Sequence, residues 1–450
     1  MKSMTAEQRN HMLLCDPVSR VIPKLAVPTI ISMLITNIYN MADTFFVSQI
    51  GTSASGAVGV IFSAMAIIQA VSFMIGMGAG THVSQALGAG NREKADAYAS
   101  TSFFTAFIAG VILAFFSLTN IDAVVRFLGS TETIAPYAKD YATYIFYAMP
   151  FMMCSFVMNN LLRFEGLTMY GMVGITAGGI LNIVLDPILI FALDMGTAGA
   201  ALATGIGQCI GGVVPAVYIL RQKDLPLRFA PFKFEASPIL QACANGSSEF
   251  MSNISTSFVS MLYNMQLLRM LGEDGVSAYG VLMYVQLIFI GTAIGYSIGC
   301  APIVSYHYGA GHHDELKNML KKSLTLMGIT GVALTMLALG LAAPLAKIFV
   351  GYDEELLNLT RHAFSIFSFS FLLSGLNIFA SGFFTALNNG LISAVISFAR
   401  TLVFQAACVL LLPAMFGVDG IWYATLVAEG LACLLSLWLI DRKKYFYHYL

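Results

Sequence analysis

Charged side chains are scarce in this sequence. Asp, Glu, Lys and Arg make up 10% of its 450 residues, whereas they make up about 25% of a typical soluble domain. Hydrophobic residues make up 58%, and the mean hydropathy is +0.77. We therefore expect most of the chain to lie in a lipid bilayer. The formal net charge of −1 also excludes the broad positive field with which proteins attract nucleic acids.

The sequence also lacks the patterns of enzymes and of disulfide-linked proteins. Its seven cysteines are scattered, mostly in apolar runs, with no CxxC pair, so we interpret them as packing residues. There is no HExxH motif and no Ser/His/Asp set, so we expect no enzymatic activity. The segment before Arg20 has no apolar core of a cleavable signal peptide, and the first long helix should act as an uncleaved anchor.

Long apolar runs, by contrast, are abundant. A transmembrane helix needs roughly 20 predominantly apolar residues, and twelve such runs predict an all-α integral membrane fold. Pro28 lies inside the first run and predicts a bend there, because proline removes a backbone donor. The predicted helices span residues 22–48, 55–86, 96–119, 134–163, 169–193, 197–221, 237–269, 276–308, 317–342, 355–385, 390–415 and 419–440.

The chain repeats itself. The stretch 76–91, GMGAGTHVSQALGAGN, returns at 297–312 as SIGCAPIVSYHYGAGH, displaced by 221 residues, and the same displacement relates Gly51 to Gly272. One ancestral unit is therefore used twice. Each unit holds six helices, so both cross the membrane in the same sense, which is a transporter design with its site between the halves. We predict an N-terminal lobe, a cytoplasmic linker and a C-terminal lobe at 1–221, 222–236 and 237–450.

The distribution of Lys and Arg predicts the orientation in the membrane. With a cytoplasmic N-terminus, 17 of the 23 Lys and Arg residues fall on the inner side and five on the outer side, while Arg400 lies within a helix. Because cytoplasmic loops carry the excess of positive charge, we expect both termini to be cytoplasmic. We expect a multi-pass protein of the bacterial inner, or plasma, membrane.

Charge inside a bilayer is costly and usually functional. Asp43 and Asp186 lie in the outer half of the N-terminal lobe, on the first and fifth predicted helices. Two carboxylates close together at low dielectric cannot both stay charged cheaply, so we expect them to bind a shared proton or a hard cation such as Na⁺. The alternative is that each acid only forms local hydrogen bonds between packed helices. Further oxygen ligands would come from Tyr39, Asn159, Asn182 and Thr204.

The remaining buried charges lie mainly in the C-terminal lobe. Arg400 and Glu429 both reach the midplane, on the eleventh and twelfth predicted helices, and we interpret them as a structural ion pair. Glu249 lies in the polar stretch SSEFMSNISTS and either lines a cavity or forms a hydrogen bond between helices. The residues that we assign to a substrate cleft are Glu249, Asn264, Gln286 and Asn160.

Several motifs together resemble the multidrug and toxic compound extrusion (MATE) transporters over nearly the full length of the chain. The resemblance implies a V-shaped pair of six-helix lobes around a central cleft, and cation-coupled export of drugs. The motifs are ADTFFVSQIG at 42–51, LGAGN at 87–91, NNLLRFEG at 159–166, NIVLDP at 182–187 and IGYSIGCAPIVSYHYGAG at 294–311.

The resemblance also implies roles for individual residues. Asp43, Asn182 and Asp186 match the coupling site that prokaryotic members carry in the N-terminal lobe, and Pro28 matches a proline thought to mark a bend. Another branch places a coupling aspartate in the tenth helix, but residues 356–387 hold no acid here. The supporting polar groups match Tyr39, Asn159 and Thr204.

The sequence thus predicts an antiporter that exchanges external H⁺ or Na⁺ for an amphipathic organic cation from the cytoplasm. We expect a monomer in the bilayer, with no organic cofactor and no nucleic-acid partner. One alternative is a lipid-linked saccharide flippase of the same superfamily, which would need basic residues along its cavity, although only Arg400 is strongly basic deep in a helix. The other is a channel, which the two-lobe repeat disfavours.

Overall fold

The structure is a computed structural model that describes residues 6–221, 236–351, 353–447 and 449. Within these ranges the chain is helical apart from short turns. The helices of the first half are α1 (Ala6–Leu14), α2 (Val18–Ser48), α3 (Thr52–Gly88), α4 (Arg92–Thr119), α5 (Ile121–Phe127), α6 (Ala135–Phe164), α7 (Thr168–Pro187), which continues as a π-helical segment (Ile188–Ala192), and α8 (Gly196–Arg221).

The second half has the same order of long helices. The eleventh predicted helix is interrupted by a π-helical segment, as the fifth is extended by one. The helices are α9 (Ala236–Ala310), α10 (His313–Val350), α11 (Glu354–Phe367), a 3₁₀ turn (Ser368–Ser370), α12 (Phe371–Ala386), α13 (Gly390–Phe398), a π-helical segment (Ala399–Phe404), α14 (Gln405–Phe416) and α15 (Val418–Tyr447).

The predicted all-α membrane fold is confirmed. Eleven helices of the described chain are long and apolar enough to cross a membrane. One of them, α9, has 75 residues and breaks at Gly272, whose φ of 66° and ψ of −149° are not helical. It therefore contains two spans, which gives the twelve of the sequence. Gly51 is the counterpart of Gly272 in the first half, 221 residues earlier, and it also has a positive φ, directly before α3. Both halves therefore use glycine at the bend between their first two spans.

The short helices α1 and α5 were not predicted, because they are polar or too short to show an apolar period. Several long helices also run further than their apolar cores, as α10 does when it continues to Val350. Polar residues extend a helix at the membrane surface without any hydropathy signal. The predicted linker at 222–236 lies outside the described residues except for Ala236, which begins α9, and the lobe boundaries stay predictions.

The two lobes meet along α2 and α3 of the first lobe and the two spans of α9. Gly88 packs on the carbonyl of Tyr306, and Gly309 packs on the carbonyl of Gln85, so closely that a Cβ at either glycine would overlap the oxygen. The 221-residue displacement relates Gly88 to Gly309 and Gln85 to Tyr306, so the two contacts are equivalent. The interface is therefore two-fold symmetric and depends on glycine for backbone contact.

These contacts lie at the end of the molecule where α2 begins and α15 ends, which we call the terminal end. There α1 covers the seam: Leu13 is buried against Gly166, and Arg9 is 1% exposed. Glu165, in the turn after α6, is also 1% exposed, and burial raises the pKa of its carboxyl to about 8, although the Arg9 cation opposes the shift. The seam is thus sealed by side chains as well as by glycine contacts.

The glycine contacts can be tested with Gly88→Val and Gly309→Val. Either side chain should force the lobes apart at the terminal end, because the overlapping atom is backbone and cannot swing away. Spin labels at Glu93 and Asp314, which are exposed and related by the repeat, should report longer distances by pulsed electron resonance. The native cysteines would first be replaced. Gly340→Val is the control, because open space surrounds that glycine, and an unchanged distance in both interface variants would contradict the packing.

Candidate functional site

Two buried carboxylates come together in the first lobe. Asp43 on α2 is 7% exposed, and Asp186, in the last turn of α7, has no exposed surface. The two are near enough for their charges to interact. The hydroxyl of Tyr141, on α6, donates a hydrogen bond to Asp43 Oδ2 at 3.4 Å. A π-helical segment begins directly after Pro187, and such segments often occur at functional sites.

Amide and hydroxyl groups extend the cluster. Asn182 lies one helical turn before Asp186 and donates from Nδ2 to Asp186 Oδ1 at 3.5 Å and to Thr204 Oγ1 at 3.4 Å. Gly178 lets α8 approach, because it packs on the backbone carbonyl of Gly207. The structure therefore brings together Asn182, Asp186 and Thr204, which the sequence assigned to the site. The lack of a side chain at Gly178 allows α7 and α8 to pack this closely.

Tyr39 lies one turn before Asp43 on α2, and its hydroxyl accepts a hydrogen bond of 2.7 Å from Gln208 Nε2. Asn159 donates to the carbonyls of Ser155 and Gly211. These contacts hold α2 and α6 against α8, the helix that also carries Thr204. The predicted residues thus come from four helices of one lobe.

Several oxygens of this cluster are buried without a hydrogen-bond partner. They are Asp43 Oδ1, Asp186 Oδ2, Asn182 Oδ1 and Asn159 Oδ1. A buried acceptor left unpaired is costly. A proton on either carboxyl supplies a donor, and a small hard cation would be held by these same oxygens. Among the described residues no group of three His, Cys, Asp or Glu side chains is placed to hold a metal ion, so a cation here would rely on neutral oxygens as well.

Tyr39, Asn182 and Thr204 of this cluster line a cavity of about 50 Å³, which is room for a few water molecules. Arg163 lines it and donates from Nη1 to Asn160 Oδ1 at 3.0 Å. The carboxylates of Asp43 and Asp186 do not line it. The polar residues around it are Thr36, Tyr39, Gln69, Ser155, Asn159, Asn160, Arg163, Asn182, Thr204 and Gln208.

The residues that the sequence assigned to a substrate cleft lie in both lobes. Asn160 is 1% exposed and belongs to the first-lobe cavity. Glu249 and Gln286 are half-buried on α9, and Asn264 is exposed on the same helix. The oxygen of Gln286 is buried without a partner. Their assignment to a substrate stays a prediction.

Pro28 is buried in α2, on the same helix as Asp43. The helix continues through it, and Ser32 Oγ donates to the Pro28 carbonyl at 2.8 Å. Because proline has no backbone N–H, this turn has one hydrogen bond fewer than its neighbours. The missing hydrogen bond makes this turn of α2 the easier place to bend, and the role of Pro28 as a hinge stays a prediction.

In the second lobe, Arg400 and Glu429 form an ion pair, with Arg400 Nη2 2.8 Å from Glu429 Oε1. The purely structural role that we assigned to this pair from the sequence stays a prediction.

Sequence reasoning missed Tyr141 and Gln208 as parts of the site. Tyr141 lies in a run with Tyr144 and Tyr147, and only Tyr141 is fully buried, which hydropathy does not reveal. Gln208 had a signal: it lies one turn after Thr204, on the same face of α8.

A family model described as MatE matches residues 28–188 and 250–410. The two matches begin 222 residues apart, close to the displacement of the internal repeat. The chain is 24% identical over 438 residues to the multidrug export protein MepA of Staphylococcus aureus strain MSSA476, and covers 94% of it. It is 23% identical over 421 residues to MepA of Staphylococcus haemolyticus strain JCSC1435, and covers 91% of it. The alignments span 94% and 92% of this chain.

Solved structures share the fold. A crystal structure of MATE in complex with MaL6 superposes with a TM-score of 0.91 at 23% identity, covering 97% of this chain and 99% of that one. An outward-facing conformation of a multidrug resistance MATE family transporter superposes with a TM-score of 0.91 at 24% identity, covering 98% of each chain. With both halves of the chain matched by the family model, the protein belongs to the MatE family of multi-pass membrane transporters and is not an enzyme.

Proposed function

We propose that the protein is a multidrug exporter that exchanges H⁺ or Na⁺ for amphipathic organic cations. The observation that carries the proposal is the pair of buried carboxylates, Asp43 and Asp186, each of which has one oxygen without a hydrogen-bond partner. A site of this kind binds a cation and gives it up again as its surroundings change. The names of the MepA relatives, multidrug export proteins, support drugs as the transported substrates.

Coupling needs a difference in cation affinity between two conformations, because a cation bound equally in both shifts nothing. The carboxylates lie on α2 and α7, and α2 also contacts α9 of the other lobe. Neutralising Asp43 removes a charge from a helix that belongs to the lobe interface. The cation would therefore alter the packing of α2 on α9, and with it the exposure of the cleft to one side of the membrane or the other.

Bending of α2 at Pro28 is the local change that we propose between these states. Asn37 Nδ2 donates to the Leu287 carbonyl at 2.9 Å, and this bond joins the lobes between Pro28 and Asp43. A bend at Pro28 would move Asn37 and Asp43 together. Protonation or Na⁺ binding would then be coupled to loss of that contact and to expulsion of the substrate.

The direction of export follows from the proposed orientation. With 17 of 23 Lys and Arg residues on the side of the termini, the terminal end should face the cytoplasm of a bacterial cell. External H⁺ or Na⁺ then drives a monomer that takes its drug from the cytoplasm. A lipid-linked saccharide flippase is less well supported, because Arg400 is already paired with Glu429, and, among the described residues, Arg163 is the one arginine along the lining of the first-lobe cavity, where it donates to Asn160.

The first test is export of a fluorescent organic cation from liposomes under a proton gradient or a sodium gradient. Asp43→Asn and Asp186→Asn should each lower gradient-driven export by about tenfold or more, since neither amide can take up a proton or balance a cation. Glu132→Gln, at an exposed position between α5 and α6, is the matched control. Full gradient-driven export by both folded variants would refute the coupling site. Transport independent of either gradient would favour the flippase, or a channel.

A second test removes a single hydrogen bond. Tyr141→Phe keeps the ring and deletes the hydroxyl that donates to Asp43 at 3.4 Å. The cation concentration for half-maximal export should change by about fivefold, as expected for a weak bond worth about 1 kcal/mol. The maximal rate under a saturating gradient should be kept. Tyr144→Phe is the control on the same helix. An equal effect of both substitutions would show that Tyr141 acts only through packing.

A further inference from the structure

The second lobe contains a polar cluster at the place that the repeat assigns to the coupling site. Thr204 and Gln208 of α8 become Thr425 and Glu429 of α15 at the 221-residue displacement. Glu429 is 2% exposed. The sequence alone shows the correspondence for these two positions only, and the structure shows how the other helices complete it.

The cluster is completed by the first span of α9 and by α12, which are the second-lobe counterparts of α2 and α6. Tyr263, on the first span of α9, bonds to Thr425 Oγ1 at 2.7 Å and donates to Gln405 Oε1 at 3.1 Å. Asn377 of α12 donates to the backbone carbonyl of Glu429 at 3.0 Å, as Asn159 of α6 donates to the carbonyl of Gly211. A π-helical segment occurs in the fifth long helix of each lobe.

The two clusters differ in the partners of their carboxylates. Both oxygens of Glu429 accept bonds of 3.0 Å from Arg400 Nε, and Oε1 also lies 2.8 Å from Arg400 Nη2. Asn377 Nδ2 donates to Oε2 at 2.6 Å. In the first lobe, Asp43 and Asp186 each keep one oxygen without a partner. Arg400 lies in the π-helical segment, and the repeat relates it to Gly179, which has no side chain to offer.

We propose that Glu429 and its neighbours form a second monovalent-cation site whose cation is the tethered guanidinium of Arg400. An arginine in a protein is not deprotonated and cannot diffuse away, whereas H⁺ and Na⁺ exchange. The second lobe is then held in the charge-neutral, cation-loaded condition throughout the cycle. Only the first lobe responds to the gradient. This physiological meaning rests on the function proposed above, but the site itself does not.

The proposal differs from a purely structural ion pair in one consequence. Without Arg400, a structural pair leaves Glu429 unpaired and the protein destabilised, and only protonation of the carboxyl relieves that loss, because burial favours the neutral acid. A monovalent-cation site also regains its stability when Na⁺ takes the place of the guanidinium, at a pH where the carboxyl is still ionised. Tyr263 and Cys433 are titratable groups whose charges interact with Glu429, and both residue types ionise above the pH range used in the test.

The test follows thermal unfolding of the purified full-length protein. The background is Asp43→Asn with Asp186→Asn, which removes the first-lobe site. Tm is measured between pH 5 and 7.5, and against NaCl with N-methyl-D-glucamine chloride at matched ionic strength. The double variant should show no dependence on Na⁺, and its pH dependence, to which the buried Glu165 carboxyl contributes, is the baseline. Adding Arg400→Gln should lower Tm, and Na⁺ at pH 7.5 should then raise it by several degrees, because a ligand of the folded state stabilises it.

Adding Glu429→Gln to that triple variant should abolish the dependence, which would assign it to this carboxylate. A folded triple variant whose Tm does not respond to Na⁺ at pH 7.5 would overturn the proposal. So would failure to recover folded triple variant at high Na⁺, since the proposal holds that Na⁺ replaces the guanidinium. The liposome assay on the first-lobe variants tests the coupling function separately, because it does not depend on Arg400.

Discussion

A carboxylate in the middle of a bilayer requires a partner, and the way each lobe meets that requirement shapes the rest of this protein. In the second lobe the partner is built in: Arg400 reaches both oxygens of Glu429, and Asn377 adds a third donor. In the first lobe the partners are incomplete, and oxygens of Asp43 and Asp186 remain unpaired. The two lobes are related by the repeat, but of these three described carboxylates only Glu429, in the second lobe, is neutralised by a basic side chain. In the function that we propose, the lobe with unpaired carboxylate oxygens is the one that responds to an external cation.

In the proposed cycle, a cation bound in the first lobe acts on the conformation of the protein through the lobe interface. The interface is built where glycines let backbones touch, as Gly88 does on Tyr306 and Gly309 on Gln85. Surfaces of this kind have few side chains to rearrange, so they separate and rejoin without repacking a core. Because the contacts come in pairs related by the repeat, we expect both halves of the interface to open together in the proposed cycle. Asp43 lies on α2, which forms part of this seam. The charge and the interface are therefore joined by one helix.

Much of the fold was predictable because the physical cause lies within short stretches of sequence. A bilayer demands long apolar helices, so the apolar runs gave the spans, and the repeat gave the paired lobes. Gly272 breaks α9 where the displaced Gly51 breaks the first half, and this correspondence was visible in the sequence. The helix ends and the surface helix α1 were not, because polar residues at the membrane surface fold on packing alone. Leu13 is buried there only because Gly166 makes room.

For the site, the sequence by itself determined which residues are costly: Asp43, Asp186, Arg400 and Glu429 stand out because charge is rare in apolar runs. It also joined Asn182 to Asp186, since four residues make one helical turn. Only the tertiary structure decided which helices face one another. Asp43 and Asp186 are 143 positions apart, and Tyr141 and Gln208 reach the cluster because α6 and α8 pack beside α2 and α7. Hydropathy records whether a helix is buried, but the direction in which it turns its polar side chains is set by its neighbours.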